Sequence, residues 1–134
     1  MKLFLDTNVF LDIFMRREPF YDASAQVVYL CESGRHKGGF TTLTACNIAY
    51  ALRKQIGNQK TIEAIRQMAN IMEPIGTSVA SLLQSLNAPQ KDFEDTVQSN
   101  CALEWQADAI ITRDKLGFAN SAIPAVTPSD FLLK

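Results

Sequence analysis

Two short apolar runs, Leu3-Phe4-Leu5 and Ala109-Ile110-Ile111, constrain the fold of this chain more than any other feature. Neither alternates with polar residues, as a strand with one face in water does, so both predict strands covered on both faces. Such strands belong to parallel sheets, whose neighbours are joined by crossover connections, usually helices. The sequence between the two runs supplies them. Val9, Phe10, Leu11, Ile13 and Phe14 predict a buried helical turn, broken by Glu18-Pro19. Ala23, Val27, Val28, Leu30 and Cys31 follow at helical spacing up to a stop at Gly34. Gly38-Gly39 reads as turn residues ahead of strand formers at Phe40-Thr41-Thr42, and Leu43 to Ile56 returns to a helical period. Gly57-Asn58 separates that helix from one carrying Ile62, Ile65, Met68, Ala69 and Met72, which predicts a helical hairpin.

Glu73-Pro74-Ile75-Gly76 then reads as a weak strand or extended link. Ser78 to Leu86 is a short helix ending before Asn87-Ala88-Pro89, and Asp92 to Gln106 a further helix. Ile123-Pro124-Ala125-Val126 is a last extended segment, placed at a sheet edge because proline cannot donate to a ladder. No repeat, low-complexity tract or linker interrupts the 134 residues. The expectation is one three-layer α/β domain over residues 1–134.

Composition excludes the simplest functional classes. With 13 Lys plus Arg against 14 Asp plus Glu, the chain has neither the basic excess of a protein that coats nucleic acid nor the acidic excess of a solvating tail. Cys31, Cys46 and Cys101 are an odd number without short spacing, each beside residues that read as buried. They predict reduced core thiols in a cytosolic protein. The opening apolar run is too short for a signal peptide, and no stretch approaches the ~18 apolar residues of a membrane span.

The acids carry the chemistry. In open parallel sheets, ligands bind beyond the carboxyl ends of the strands. The Leu3-Phe4-Leu5 strand ends on Asp6, and Ile110-Ile111-Thr112-Arg113 ends on Asp114. Asp95 lies in the first turn of the helix leading back into the Ala109 strand, a helix that must start at the same rim. Three carboxylates therefore converge, and like charges gathered out of water disfavour one another's ionisation unless a cation compensates them. An all-oxygen donor set selects Mg²⁺ or Mn²⁺ over zinc. The single histidine, His36, sits in a polar Arg35-His36-Lys37 turn, which argues against a His-rich zinc site or a Ser-His-Asp triad. Mg²⁺ on carboxylates points to phosphoester or phosphodiester cleavage. Each acid also has a structural reading: Asp6 and Asp92 as helix N-caps, Asp95 as a first-turn acid favoured by the helix dipole, Asp114 as a turn acid.

Four ordered blocks carry a family likeness. They are Leu5-Asp6-Thr7-Asn8-Val9-Phe10-Leu11-Asp12, Thr44-Ala45-Cys46-Asn47-Ile48-Ala49-Tyr50, Asp92-Phe93-Glu94-Asp95-Thr96-Val97-Gln98, and Ala107-Asp108-Ala109-Ile110-Ile111-Thr112-Arg113-Asp114. In this order and over nearly the whole chain, they resemble the PIN domain. That resemblance implies an α/β/α sandwich on a short, mainly parallel sheet and Mg²⁺- or Mn²⁺-dependent cleavage of single-stranded RNA. Among small prokaryotic members it further implies a VapC-type toxin held inactive by a small antitoxin, commonly as a homodimer. Carried over by position, Asp6, Asp95 and Asp114 are the metal ligands, and Asn47 stands where many members have glutamate but one branch has asparagine. Asn47 can offer a carbonyl oxygen or a hydrogen bond but cannot act as a base. Gly117 stands where members frequently carry an acid, so Asp114 must supply that side of the site alone. Thr7, Asn8, Thr41 and Thr112 are candidates for supporting or substrate-facing groups. Arg113 and Lys115, with Arg16, Arg17, Arg53 and Lys54, are candidates for tracking phosphates.

Three rival readings stand beside this one. A haloacid-dehalogenase-like phosphatase also opens on a strand-end aspartate, but here Asn8 replaces its second acid. A PIN domain weakened by Asn47 and Gly117 and acting as a binding module is the stronger alternative. A dinucleotide-binding fold is excluded by the lack of Gly-x-Gly-x-x-Gly after a strand. In a dimer, part of the Ile62 to Met72 stripe would lie at an interface instead of in the core.

Overall fold

The structure, a computed structural model, describes residues 1–87 and 92–133; the expected stop at Ala88-Pro89 lies outside them. The elements in order are β1 (Lys2–Leu5), α1 (Thr7–Phe14), α2 (Tyr21–Glu32), β2 (Lys37–Thr41), α3 (Thr42–Ile71), β3 (Glu73–Ile75), α4 (Val79–Asn87), α5 (Phe93–Trp105), β4 (Ala109–Ile111), β5 (Ala125–Val126) and α6 (Pro128–Leu132). The five strands form one sheet in the order β3-β2-β1-β4-β5, and every pairing is parallel. The α/β class with a short parallel sheet is therefore observed. The two weak extended segments become its edges, β3 with Pro74 and β5 just after Pro124.

Strand periodicity sorts the core into two layers. Leu3, Leu5, Ala109 and Ile111 face one way and pack with residues of α1, α2, α3 and α6. Phe4 and Ile110, on the opposite face, pack with Val97, Cys101 and Ala102 of α5 and with Phe118. All six of these strand residues are buried. Side chains of the size of Phe4 and Ile110 contribute about 1.5–3 kcal/mol each by leaving water. This two-sided demand is what the continuous apolar runs signalled.

Local details depart from the sequence reading at Gly38-Gly39 and at Cys46. Gly38 and Gly39 are not turn residues: they lie inside β2 and are buried. A Cβ at Gly39 would lie 2.8 Å from Ile75 and Trp105 side-chain atoms, and one at Gly38 2.9 Å from Cys31 and Met72, so the strand is glycine where its neighbours press closest. Gly57 separates two helical halves of α3 as expected: its backbone is non-helical (φ 82°, ψ 166°), and the halves meet there at a kink. Of the three cysteines, Cys31 and Cys101 are buried, whereas Cys46 is exposed on α3 because its side of the helix is not covered. In the Ile62 to Met72 stripe, Met68 and Met72 are core while Ile62 is 52% exposed. Among the described residues no helix is long and apolar enough to cross a membrane.

One buried ion pair joins the first third of the chain to the last. Asp12 on α1 is fully buried and accepts from Arg113 Nε at 2.7 Å and Nη2 at 2.8 Å, with Ser24 Oγ of α2 at 3.3 Å. The Arg113 guanidinium also lies 3.9 Å from the Phe20 ring centroid, a cation–π contact. Arg113 is thus committed to structure and does not serve as a free phosphate-tracking group. Asp12→Ala strips the bidentate partner from a guanidinium that is still 27% exposed and can partly rehydrate. The expected cost is therefore at the low end of that for breaking a buried pair, about 3 kcal/mol, read as a lowered urea midpoint.

Candidate active site

The order β3-β2-β1-β4-β5 places a topological switch point between β1 and β4: the chain builds outward from β1 through β2 to β3, then returns to β1's other side. Ligands in open α/β sheets bind at such a point, beyond the carboxyl ends of the strands. Asp6 follows β1 and Thr112 to Asp114 follow β4, so both expected strand-end acids stand there.

Asp6 is 7% exposed and held from three sides. It N-caps α1 by accepting from Thr7 N at 2.8 Å, and it accepts from Thr112 Oγ1 at 2.8 Å and Asn8 Nδ2 at 3.2 Å. Capping and a functional placement are therefore not alternatives for this residue. Thr112 Oγ1 in turn accepts from Asp114 N at 2.9 Å, and Asn8 Oδ1 accepts from Arg113 N at 3.3 Å, so one hydroxyl and one amide position the acids of both strands.

Asp95 arrives from the third element. Asp92 caps α5 by accepting from Asp95 N at 3.1 Å, which puts Asp95 in the first turn at the same rim. Asp95 and Asp114 are hydrogen-bonded to each other through their carboxyl groups. Gly117 makes this pairing possible: a Cβ there would lie 2.1 Å from Asp95 Oδ2 and 2.5 Å from Asp114 Oδ2, so the acids occupy the space a side chain would take. Gly117 N donates to Asp114 Oδ1 at 3.0 Å. An acid at position 117 would have to displace this pair.

Asn47, on the second turn of α3, donates from Nδ2 to Glu94 Oε1. Glu94 is the residue that sequence reasoning missed; its charge is among those acting on Asp6. The signal was present in the Asp92-Phe93-Glu94-Asp95 run, but only the fold shows that Glu94 points toward α3. A buried relay supports the same rim: Thr41 Oγ1 caps α3 and donates to Gln98 Oε1 at 2.9 Å, and Gln98 Nε2 donates to Thr44 Oγ1 at 2.8 Å. Thr44 Oγ1 lies 3.0 Å from Thr7 Oγ1. Thr7 and Thr41 thereby lock α1, α3 and α5 together. Of the other cations, Arg16 lies over Tyr21, and Arg53 and Lys54 flank Tyr50.

Among the described residues no cation offsets the charge of Asp6 or Asp95. Burial raises the Asp6 carboxyl above the usual range, against the lowering effect of the Thr112 and Thr7 hydrogen bonds, with Glu94 and Asp114 adding repulsion. Asp95 is pushed up to about 7 by burial first, then by the charges of Asp6, Asp92 and Asp114 and its hydrogen bond to Asp114. Among the described residues no three His, Cys, Asp or Glu side chains are already disposed as ligands about one point. Asp95 and Asp114 instead turn their carboxyl groups toward each other over Gly117. The donor set, all oxygen with repelling charges, nonetheless fits a hard divalent cation.

A carboxyl raised in the folded state stabilises the protein relatively at low pH, where it is protonated in both states, and that contribution is lost as pH rises through its folded value. Without metal, the thermal midpoint is therefore expected to fall between about pH 4 and about pH 7 through Asp95. Asp95→Asn should flatten that part of the profile and stabilise the protein at pH 8 relative to wild type. A pH series of thermal melts in chelator checks this.

The sequence and the fold are similar to those of known proteins. The PIN domain family profile matches residues 2–116. Ribonuclease VapC1 of Aquifex aeolicus (strain VF5) is 27% identical over 138 residues, covering 97% of this chain and 92% of the relative. Among solved structures, the VapBC2 complex of Rickettsia felis bound to a promoter DNA fragment contains a similar chain, with a TM-score of 0.70, 13% identity, and 95% and 98% of the two chains covered. VapC20 of Mycobacterium tuberculosis, a sarcin-ricin loop cleaving toxin, gives 0.64 at 9% identity over 81% of this chain and 86% of that one. At such identities the structural likenesses speak for the fold; the family profile, which spans most of the sequence, speaks for descent. The chain belongs to the PIN domain family.

Proposed function

We propose that this protein is a Mg²⁺- or Mn²⁺-dependent endoribonuclease acting on single-stranded RNA, and the toxin of a toxin–antitoxin pair. The carrying observation is the convergence of Asp6, Asp95 and Asp114 at the switch point with, among the described residues, no cationic side chain offsetting the charge of Asp6 or Asp95. The 27% identical relative is a ribonuclease, and the similar folds occur in VapBC complexes, which supports both parts of the reading.

Asp6 and Asp95 would hold the cation, with Asp114 completing the site. A divalent cation there supplies a bound water of lowered pKa and offsets negative charge on a phosphate oxygen in an in-line displacement. The chain's own residues do the positioning. Thr112 and Thr7 fix the Asp6 oxygens, and the Asp92 cap holds Asp95 at the same rim. Asn47 holds Glu94 at the rim by its amide and takes no proton itself. Exposed Lys115, beside Asp114, is a group for the RNA backbone. The chain acts as a single domain over residues 1–134, in the cytoplasm, as a homodimer bound by a small antitoxin.

The second reading, a weakened PIN domain that binds without cutting, draws on the engaged Asn47 and on the paired Asp95 and Asp114. Titration calorimetry separates the two, since a catalytic site takes up Mn²⁺ at millimolar concentration and an inert module does not. For activity, Asp6→Asn is expected to abolish Mn²⁺-dependent cleavage of a structured RNA panel. It should leave the thermal midpoint near that of wild type, because the asparagine oxygen can still accept from Thr7 N, the Thr112 hydroxyl can turn to accept from the new amide, and losing a buried charge offsets the lost acceptor at Oδ2. Unchanged cleavage would overturn the assignment.

A further inference from the structure

Next to the acids, and sharing Asp95 and Gly117 with them, a cleft of about 210 Å³ opens between α5 and the segment 117–122, with Gln84 of α4 at its side. We propose that this cleft seats one nucleobase of the RNA strand, that of a nucleotide adjoining the phosphate held at Asp6, Asp95 and Asp114. The inference rests on the ribonuclease reading and adds to it the place where sequence is read.

Chemistry excludes the other parts of a nucleotide. Among the described residues no lysine or arginine lines the cleft, and the one ionisable group there is the acid Asp95, so a phosphate would find no cationic partner. The neutral amides and hydroxyl of Gln84, Ser99, Asn100 and Asn120 instead match the mixed donors and acceptors of a base edge. Gln84 and Ser99 form no side-chain hydrogen bond among the described residues, so their hydrogen-bonding capacity is available to a ligand. Asn100 is held in place by donating to Ser85 Oγ at 2.8 Å. The floor is apolar: Phe118 is 3% exposed, and Leu103, 41% exposed, offers a flat surface on which a ring can pack. Unstacked bases read on their edges and packed on their faces are the usual basis of single-strand RNA specificity.

Geometry sets the register. Ser99 and Leu103 follow Asp95 at four-residue intervals along one face of α5, about 6 and 12 Å along the helix axis. A strand with a phosphate at Asp95 can therefore lay its neighbouring nucleotide along this stripe. Gly117 keeps the mouth open, since a side chain there would stand between the acids and the cleft.

The test measures binding of six-nucleotide RNAs to the full chain in Ca²⁺ by fluorescence anisotropy, comparing the four homopolymers with an oligomer of abasic nucleotides. At least one base is expected to bind fivefold or more tightly than the abasic strand, and Gln84→Ala with Ser99→Leu should reduce that difference to under twofold. Gln84→Ala alone, at an exposed position, should at least halve it and keeps the test open if the double variant unfolds. Equal binding of abasic and base-bearing strands, or discrimination untouched by these substitutions, overturns the proposal. Cleavage in Mn²⁺ is scored separately. A chain that discriminates bases but never cuts loses the ribonuclease reading and keeps the base seat, whereas one that cuts without such discrimination does the reverse.

Discussion

The 2.8 Å hydrogen bond from Thr112 to Asp6 is the contact on which the rest of the site depends. It joins residues 106 positions apart, at the ends of the two central strands, and it exists only because β1 and β4 lie side by side in register. A buried carboxylate costs free energy unless hydrogen bonds repay it. Asp6 collects three, and in doing so ties the start of α1 to the segment after β4. Asp12 and Arg113 repeat the connection one turn deeper. The rim is therefore rigid on the β1 and β4 side, where the acids must be placed.

The opposite side is built for charge to change. Asp95 and Asp114 face each other over Gly117, and burial with the neighbouring acids raises the Asp95 carboxyl. The neutral relay through Thr7, Thr44, Gln98 and Thr41 carries no charge that would screen the acids, and among the described residues no buried side-chain nitrogen or oxygen lacks a partner. Repulsion is thus concentrated at Asp6, Asp95, Asp114 and Glu94. The cost of gathering them stays local, because the surrounding polar groups are fully satisfied.

Much of this was legible in the chain. The two-sided burial of Leu3 to Leu5 and of Ala109 to Ile111 follows from their unbroken apolar character, and the strand-end positions of Asp6 and Asp114 follow from theirs. Asp92 and Asp95 announce a helix start by their three-residue spacing. Less legible were residues whose role depends on what lies across from them. Gly38 and Gly39 look like a turn until Trp105 and Met72 are packed against them, and Arg113 looks like a free cation until α1 brings Asp12 beneath it. Glu94 looks like one more first-turn acid until α3 presents Asn47.

The sequence by itself determined the class of the fold, the rim on which its acids stand and the family to which it belongs, because these depend on local periodicity and on the order of motifs along the chain. Only the tertiary structure decided which acids meet. Sheet order β3-β2-β1-β4-β5 makes β1 and β4 neighbours although more than a hundred residues separate them, and the missing side chain at Gly117 lets Asp95 and Asp114 close on one another. Long-range pairing and the absence of one Cβ are steric facts of the folded chain, and no pattern along a single strand or helix encodes them.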